Sequence, residues 1–340
     1  MVTLKEIADK AGVSIGTVDR VLHNRGRVSK ENIDLILRIA RENGYVPNQL
    51  ARRLQDNRQY SFGVLLPALE SEFGYWQQIK EGIETARTEL NSLEVEIIYS
   101  FYDRRSPDDF LAACEHLFAN DISAYIMAPL MGDATRQVMD KYGSVPAVFI
   151  DSSLPGISPL YDLSQDPEQA GRTAARVMDL FDSSLDSVFT IQTYSSAYNG
   201  RKRAEAFLNA YRAMHDNVPT ASINIATEDD FAIIPDMVGR SGRVGLFVVN
   251  DGVHRIVDAV MSSDDISRFT IIGFDLSPQN RELLDSGLIA AVIGQRPRLQ
   301  GYEAAMFLYR AIVLGQERRS VHIPVDIYIK ENIPEDRSWF

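Results

Sequence analysis

From residue 62 onward, short runs of β-branched and aromatic residues alternate with longer stretches whose apolar positions recur every three or four residues. The short runs cover 62–66, 95–101, 124–128, 147–150, 188–194, 244–249 and 269–274. Helical spacing fills 76–90, 107–118, 169–181 and 299–314. Such alternation predicts parallel sheets covered by helices, and a strand count above about ten suits two lobes better than one sheet.

Residues 1–60 carry the helical spacing alone. Thr3-Leu4-Lys5-Glu6 fits a capping box, Ile7, Ala8 and Ala11 give the first helix one apolar face, and Gly12-Val13 breaks it. Ser14 then caps a second helix over 15–23, so two short helices joined at a glycine make a helix-turn-helix candidate. Ser29 caps a third helix, with Ile33, Ile36, Leu37 and Ala40 on one face, ending at Gly44. Pro47 closes this unit. Residues 48–54 are basic, helix-permissive and too short to hold a helix alone in water, and 56–61 read as a polar connector. The predicted domains are a headpiece over 1–47, a hinge and linker over 48–61, and a two-lobed domain over 62–340.

Charge sharpens this division. The net charge of −12 argues against a nucleic-acid partner, yet residues 1–60 hold eleven Lys or Arg against seven acids, a balance of +4. The remaining 280 residues carry −16, and two units of opposite sign imply two different partners. The lone cysteine, Cys114, excludes an intramolecular disulfide and any multi-cysteine metal site, and it reads as a buried thiol. No run of about eighteen apolar residues exists to span a membrane, and the amino terminus lacks a secretory apolar core, so a cytoplasmic protein is expected. Phosphate-cradling, dinucleotide-binding and serine-elbow motifs are absent, and the five histidines are dispersed. Neither catalysis, nor a metal, nor a cofactor is expected.

Val2 to Ala8, Ala11-Gly12-Val13-Ser14, Thr17-Val18, Arg20-Val21-Leu22, Val28-Ser29 and Gly44-Tyr45-x-Pro47-Asn48 together resemble the headpiece of the LacI/GalR repressor family. Gly63-Val64-x-x-Pro67, Phe149-Ile150-Asp151, Asn250-Asp251, Ile272-Gly273-Phe274-Asp275 and Gln295-Arg296-Pro297 resemble landmarks of the periplasmic-binding-protein type I fold. The resemblance implies a small all-α helix-turn-helix headpiece and an α/β two-lobed domain with parallel sheets and three crossovers around a ligand cleft. It also implies a hinge helix ordered on double-stranded operator DNA, a homodimer, and a small-molecule effector.

On the DNA side, the resemblance puts Ile15, Gly16 and Arg20 at base-reading positions, with Arg20 suited to guanine and Ile15 to a thymine methyl. Thr3, Ser14, Thr17, Asn24, Arg25 and Arg27 are expected on or near phosphates. Leu54 matches the family's minor-groove wedge, with Asn48, Ala51 and Arg52 facing the same groove. Asp19 and His23 depart from the family's usual serine and asparagine. A structural helical hairpin is the bland alternative for the helix pair, and an ordinary linker helix for the hinge.

For the effector, Asp151, Asp251 and Asp275 end strand-like runs, where this fold carries ligand groups, and the resemblance implies Phe73 and Trp76 as the family's aromatic pair, Arg203 as its second-lobe arginine, and Gln295 at the last crossover. Asp275 reads either as a ligand or as a brace of the fold. Ser152, where the family favours arginine, and residues 70–74 are departures that leave the effector open. A sugar leads; a purine, nucleoside or sugar phosphate also fits, as inducer or corepressor. The rival reading is a sugar-binding module of transport or chemotaxis type, which residues 1–60 oppose.

Overall fold

The computed structural model describes residues 3–22, 26, 28–43, 59–69, 74–90, 95–193, 198–225, 227–231, 234–237, 242–250, 252–263, 265–316 and 322–334. The chain divides into two compact units, Met1–Arg58 and Gln59–Phe340.

In the first unit, α1 (Leu4–Ala11), α2 (Ile15–Leu22) and α3 (Lys30–Glu42) enclose Ile7, Ala8, Val18, Ile36, Ile39 and Ala40. The capping box forms: the Thr3 amide donates to Glu6 Oε2 at 2.8 Å, and the Glu6 amide to Thr3 Oγ1 at 3.3 Å. Gly12 ends α1 at φ 65°, the left-handed region that a glycine enters without strain. Two details differ from the sequence reading. Ser29 sits at the N-cap of α3 without a side-chain cap bond, and α3 turns Ile36, Ile39 and Ala40 inward while Ile33 and Leu37 stay half-buried.

The second unit holds two sheets. Lobe 1 has strand order β2-β1-β3-β4-β5, all parallel, from β1 (Tyr60–Pro67), β2 (Val95–Tyr102), β3 (Ala124–Met127), β4 (Ala147–Asp151) and β5 (Tyr161–Ser164). Lobe 2 has order β11-β10-β9-β8-β6-β7, from β6 (Ser187–Gln192), β7 (Thr220–Asn224), β8 (Val244–Val248), β9 (Phe269–Phe274), β10 (Ala291–Gly294) and β11 (Asp326–Tyr328). Only β11, at the edge, pairs antiparallel. Helices cover both faces, so β3, β8 and β10 are buried at every residue, which is why β3 and β8 read as unbroken apolar runs; the four-residue β10 is not among the runs identified.

The covering helices are α4 (Tyr75–Leu90), α5 (Pro107–Phe118) and α6 (Gly132–Tyr142) in lobe 1, then α7 (Pro167–Phe181), α8 (Tyr198–Met214), the short α9 (Ile234–Met237), α10 (Val253–Ser263) and α11 (Pro278–Asp285) in lobe 2. Finally α12 (Pro297–Leu308), continued by a π-turn over Tyr309–Val313, returns to pack on α4. The chain thus crosses between lobes after β5, after β10 and before β11. Gln295 stands at the second crossing, not the last as expected.

Each lobe contains one helix pair in backbone contact. A Cβ on Gly82 of α4 would lie 2.0 Å from the Arg298 carbonyl oxygen, and one on Gly171 of α7 would lie 2.3 Å from that of Arg203 in α8. Neither neighbour can retreat without moving a helix. Gly82→Ala is therefore expected to lower stability by about 1–3 kcal/mol despite alanine's better helix propensity, as read by the urea midpoint; an unchanged midpoint would refute the close approach.

Asp182, buried beneath lobe 2, accepts from Arg243 Nε at 2.8 Å and from the Ser184 amide and hydroxyl at 3.0 and 2.8 Å. Burial raises its pKa, but the Arg243 guanidinium and the Ser184 donors outweigh burial and hold the carboxyl below its ordinary value. A depressed folded-state pKa contributes stability that is present above the unfolded value and lost as pH falls through the folded one. In acid denaturation, Asp182→Asn should flatten the fall in melting temperature below the ordinary carboxylate range; an unaltered acid limb would remove Asp182 from the brace.

Candidate functional site

The headpiece presents one face of α2. With Val18 buried, helical geometry turns Gly16 and Arg20 outward; Ile15, three residues before Val18, is exposed too, at 48% of its surface. Exposing so large an aliphatic at the first turn of a helix is unfavourable in water unless another surface covers it. The Ser14 hydroxyl accepts from the Thr17 amide at 3.1 Å and lies 2.9 Å from the Thr17 hydroxyl, so both are fixed at the helix start. Thr3 is likewise engaged as the cap of α1. Asn24, Arg25, Arg27, Asn48, Ala51, Arg52 and Leu54 lie outside the described residues.

In the second unit the candidates gather at the carboxyl ends of β4, β9 and β10. Three residues other than glycine adopt left-handed backbone there: Asp151 at φ 64°, Asp275 at φ 62° and Arg296 at φ 50°. Each such turn costs about 1–2 kcal/mol, and aspartate tolerates it better than most residues. Surrounding bonds hold the turns. The Asp151 amide donates to Gln300 Oε1 at 2.9 Å, its carbonyl accepts from Asn199 Nδ2 at 2.6 Å, and its Oδ1 accepts from the Tyr75 hydroxyl at 2.8 Å. Asn199 belongs to lobe 2, so this contact bridges the cleft.

Gln295, nearly fully buried, joins the other candidates. Its Nε2 donates to Asp275 Oδ2 at 3.2 Å and more weakly to Asp151 Oδ1 at 3.4 Å, while its Oε1 accepts from Arg203 Nη2 at 3.2 Å. Arg203, 4% exposed, also donates to the Val249 carbonyl at 3.2 Å and stacks 3.7 Å over the Phe274 ring. Its burial lowers the guanidinium's pKa, and the Asp151 and Asp275 carboxylates oppose that change. Burial, followed by the same two carboxylates, pushes the Tyr75 hydroxyl well above its ordinary value, which keeps it a proton donor.

Asp275 braces the strand end. Its carbonyl accepts from Asn280 Nδ2 at 2.7 Å and its amide donates to Ile293, while its carboxylate meets Gln295. Trp76 is fully buried in the lobe 1 core, edge-on to Tyr75 at 4.9 Å, and its indole nitrogen has no hydrogen-bond partner among the described residues. The aromatic residue that meets Asp151 is Tyr75. Phe73 and Asp251 lie outside the described residues.

Sequence reasoning missed Tyr75, Asn199 and Gln300. The signal for Asn199 was its position one helical turn before Arg203; for Tyr75, its adjacency to Trp76. Several buried polar atoms here lack a hydrogen-bond partner among the described residues: Arg203 Nε, Asn199 Oδ1, Asn250 Nδ2 and Gln192 Oε1. They cluster at the ends of β6 and β8 and the first turns of α8. Beside Gln295 a cavity of about 420 Å³ opens between Gly74, Gln78 and Glu81 of lobe 1 and Ser277 and Arg281 of lobe 2. Among the described residues no cluster of His, Cys, Asp or Glu could hold a metal, and no helix is long and apolar enough to cross a membrane.

Comparison with known proteins follows the same division. Residues 3–48 match the bacterial regulatory proteins of the lacI family, and residues 62–317 match the periplasmic binding protein domain. The sucrose operon repressor of Klebsiella pneumoniae is 33% identical over 156 residues, 45% of this chain and 44% of its own length, so the match spans less than half of that relative. Two solved structures share the fold at low identity. GanP, a glucose-galactose binding protein from Geobacillus stearothermophilus, has a TM-score of 0.70 and 22% identity over 82% of this chain and 100% of its own. The Lac repressor dimer bound to operator and the anti-inducer ONPF has a TM-score of 0.62 and 20% identity over 96% of this chain and 97% of its own. Since the periplasmic binding protein domain alone covers most of the sequence, the chain belongs to the periplasmic binding protein domain family, and it carries a region matching the lacI-family regulatory proteins ahead of that domain.

Proposed function

We propose that the protein is a sequence-specific DNA-binding repressor whose hold on its operator is set by a small ligand, a sugar in the first instance, bound between the lobes of its second unit. The outward row Ile15, Gly16 and Arg20 on α2 carries this reading. Arg20 would meet guanine O6 and N7, Ile15 a thymine methyl, and Gly16 would let the helix approach closely while reading nothing itself. Thr3, Ser14 and Thr17 mark the amino-terminal turns of α1 and α2, whose amides suit phosphate oxygens. Asn24, Arg25 and Arg27 would add phosphate contacts. Asn48, Ala51, Arg52 and Leu54 would form the hinge, with Leu54 wedged into the minor groove of a bent duplex.

In the cleft, Asp151, Arg203, Asp275 and Gln295, joined by Tyr75, Asn199, Asp251 and Phe73, would hold the ligand. The partnerless polar atoms there support a ligand rich in hydroxyls, and the names of the sucrose operon repressor and the glucose-galactose binding protein support a sugar. The reading assigns no catalysis, cofactor or metal, and it places the protein in the cytoplasm as a homodimer with one headpiece per half-site.

Two experiments test the DNA side, using an operator duplex selected from a random library by the purified protein. Arg20→Ala should weaken that operator roughly 5- to 150-fold at fixed salt, the worth of one bidentate base contact, while binding to non-specific duplex changes little; equal losses on both would make Arg20 a phosphate contact. Leu54→Ala should lower operator affinity and reduce bending in a gel-shift assay, and wild-type values for both would remove the wedge.

For the ligand, melting temperatures should be compared with sucrose, D-ribose, D-glucose, D-galactose and adenine. A true effector at about 100 times its Kd should raise the midpoint by about 5 °C or more, and Arg203→Ala should abolish that rise. A rise with adenine alone would replace the sugar by a purine.

A further inference from the structure

Gln165 directly follows β5, where the chain first leaves lobe 1, and its side chain is fully buried. The carboxamide nitrogen donates at 2.9 Å to the Gly294 carbonyl, at the second crossing, and at 2.7 Å to the Pro324 carbonyl, in the third. Its backbone forms a parallel bridge with Ile323, also in the third. One residue therefore bonds to the other two crossings.

The orientation of this amide is fixed by chemistry. Both neighbours are carbonyl oxygens, which only accept, so the end that meets them must be the NH2 group. Its Oε1 is left buried with no hydrogen-bond partner among the described residues. A buried acceptor left unsatisfied lowers stability, and an apolar side chain of equal length would avoid that cost. Retaining glutamine is intelligible if its two donated bonds supply what packing cannot, a fixed relation between strands.

That relation reaches the cleft. Gly294 precedes Gln295, whose amide lies between Asp151 and Asp275. Arg296, held in left-handed backbone, pairs through Nε and Nη2 with both carboxylate oxygens of Asp326 at 2.6 and 2.9 Å, a second tie between the second and third crossings. We propose that Gln165 is a positioning residue, the pivot that fastens the three crossings into one hinge so that the lobes turn as bodies and Gln295 keeps its place. It acts through Gly294, whichever ligand the cleft takes.

Hydrogen exchange of the full chain, with neither sugar nor DNA added, tests this. Gln165→Met keeps the side-chain length and removes both donors. Amides within 161–165, 291–296 and 323–328 should then exchange about tenfold faster or more, while β1, β3, β6 and β8 keep their protection. Unchanged exchange at the crossings overturns the proposal. So does an even loss over both sheets, which would make Gln165 an ordinary core residue.

Gln165→Glu gives a reading should the methionine variant not fold. Ionised, its carboxylate would face two carbonyl oxygens; protonated, it can donate one bond, and burial favours the protonated form. After correction for intrinsic rates, the crossings of this variant should be protected in acid and open as pH rises, while the wild type shows no such trend. Protection independent of pH in the glutamate variant overturns the pivot. Since neither readout involves ligand or operator, failure here leaves the proposed function standing.

Discussion

The cleft depends on the backbone turn at Asp151. A strand that ended there in extended conformation would aim the carboxylate along the sheet. With the left-handed φ of 64°, the carboxylate meets Gln295 and the backbone carbonyl accepts from Asn199 of lobe 2. Glycine would make this turn without strain but would bring no carboxylate, so aspartate carries the cost and its neighbours offset it. Tyr75 comes from α4, Gln300 from α12 and Asn199 from α8; moving any of these helices changes where Asp151 points. The backbone contact of α4 with α12 at Gly82, and the Arg298–Glu81 ion pair beside it, therefore serve the cleft as well as the core.

Much of this architecture was legible in the chain, for identifiable reasons. β1, β3, β8 and β9 are covered on both faces, so their apolar runs stand out without any partner in view. β7 (Thr-Ala-Ser-Ile-Asn) and the three-residue β11 do not; both lie at sheet edges, and their extended state is set by the ladder beside them rather than by their own residues. At the candidate site, Asp151, Asp275 and Gln295 could be singled out because they follow strands, and the structure brings Arg203 of α8 against Gln295. Of the neighbouring rings Tyr75 and Trp76, Tyr75 is the one that bonds Asp151. Adjacent helix positions differ by about 100° in direction, and nothing local in Gly74-Tyr75-Trp76 says which ring the strand above will cover. Gln165 was invisible for a related reason: its partners are main-chain carbonyls more than a hundred residues away.

In the headpiece, the small core leaves little freedom. Six buried residues hold three helices, and the capping box at Thr3 and the turn at Gly12 set the ends of α1 on which α2 packs. Gly16 and Arg20 are exposed because each stands two residues, about 200° around the helix, from the buried Val18, whereas Ile15, three residues before Val18, is exposed although it lies nearer the core face.

Opposite charge on the two units shapes what the headpiece can do. A balance of +4 supplies few phosphate contacts, and affinity for non-specific duplex rises steeply with their number, so one headpiece alone would hold DNA weakly. The body, at −16, would be repelled by the duplex and so adds no non-specific affinity of its own. Weak general attraction favours selectivity: specific contacts then make up a larger share of the total, and a modest change in how two headpieces are held suffices to release them. A coupling of about 1–3 kcal/mol between ligand and operator changes affinity roughly 5- to 150-fold, a large effect on a complex held near its threshold and a small one on a tightly anchored complex. Under the proposed function, the acidic body would thus make a ligand-driven switch workable at the strength that a hydrogen-bonded cleft can deliver.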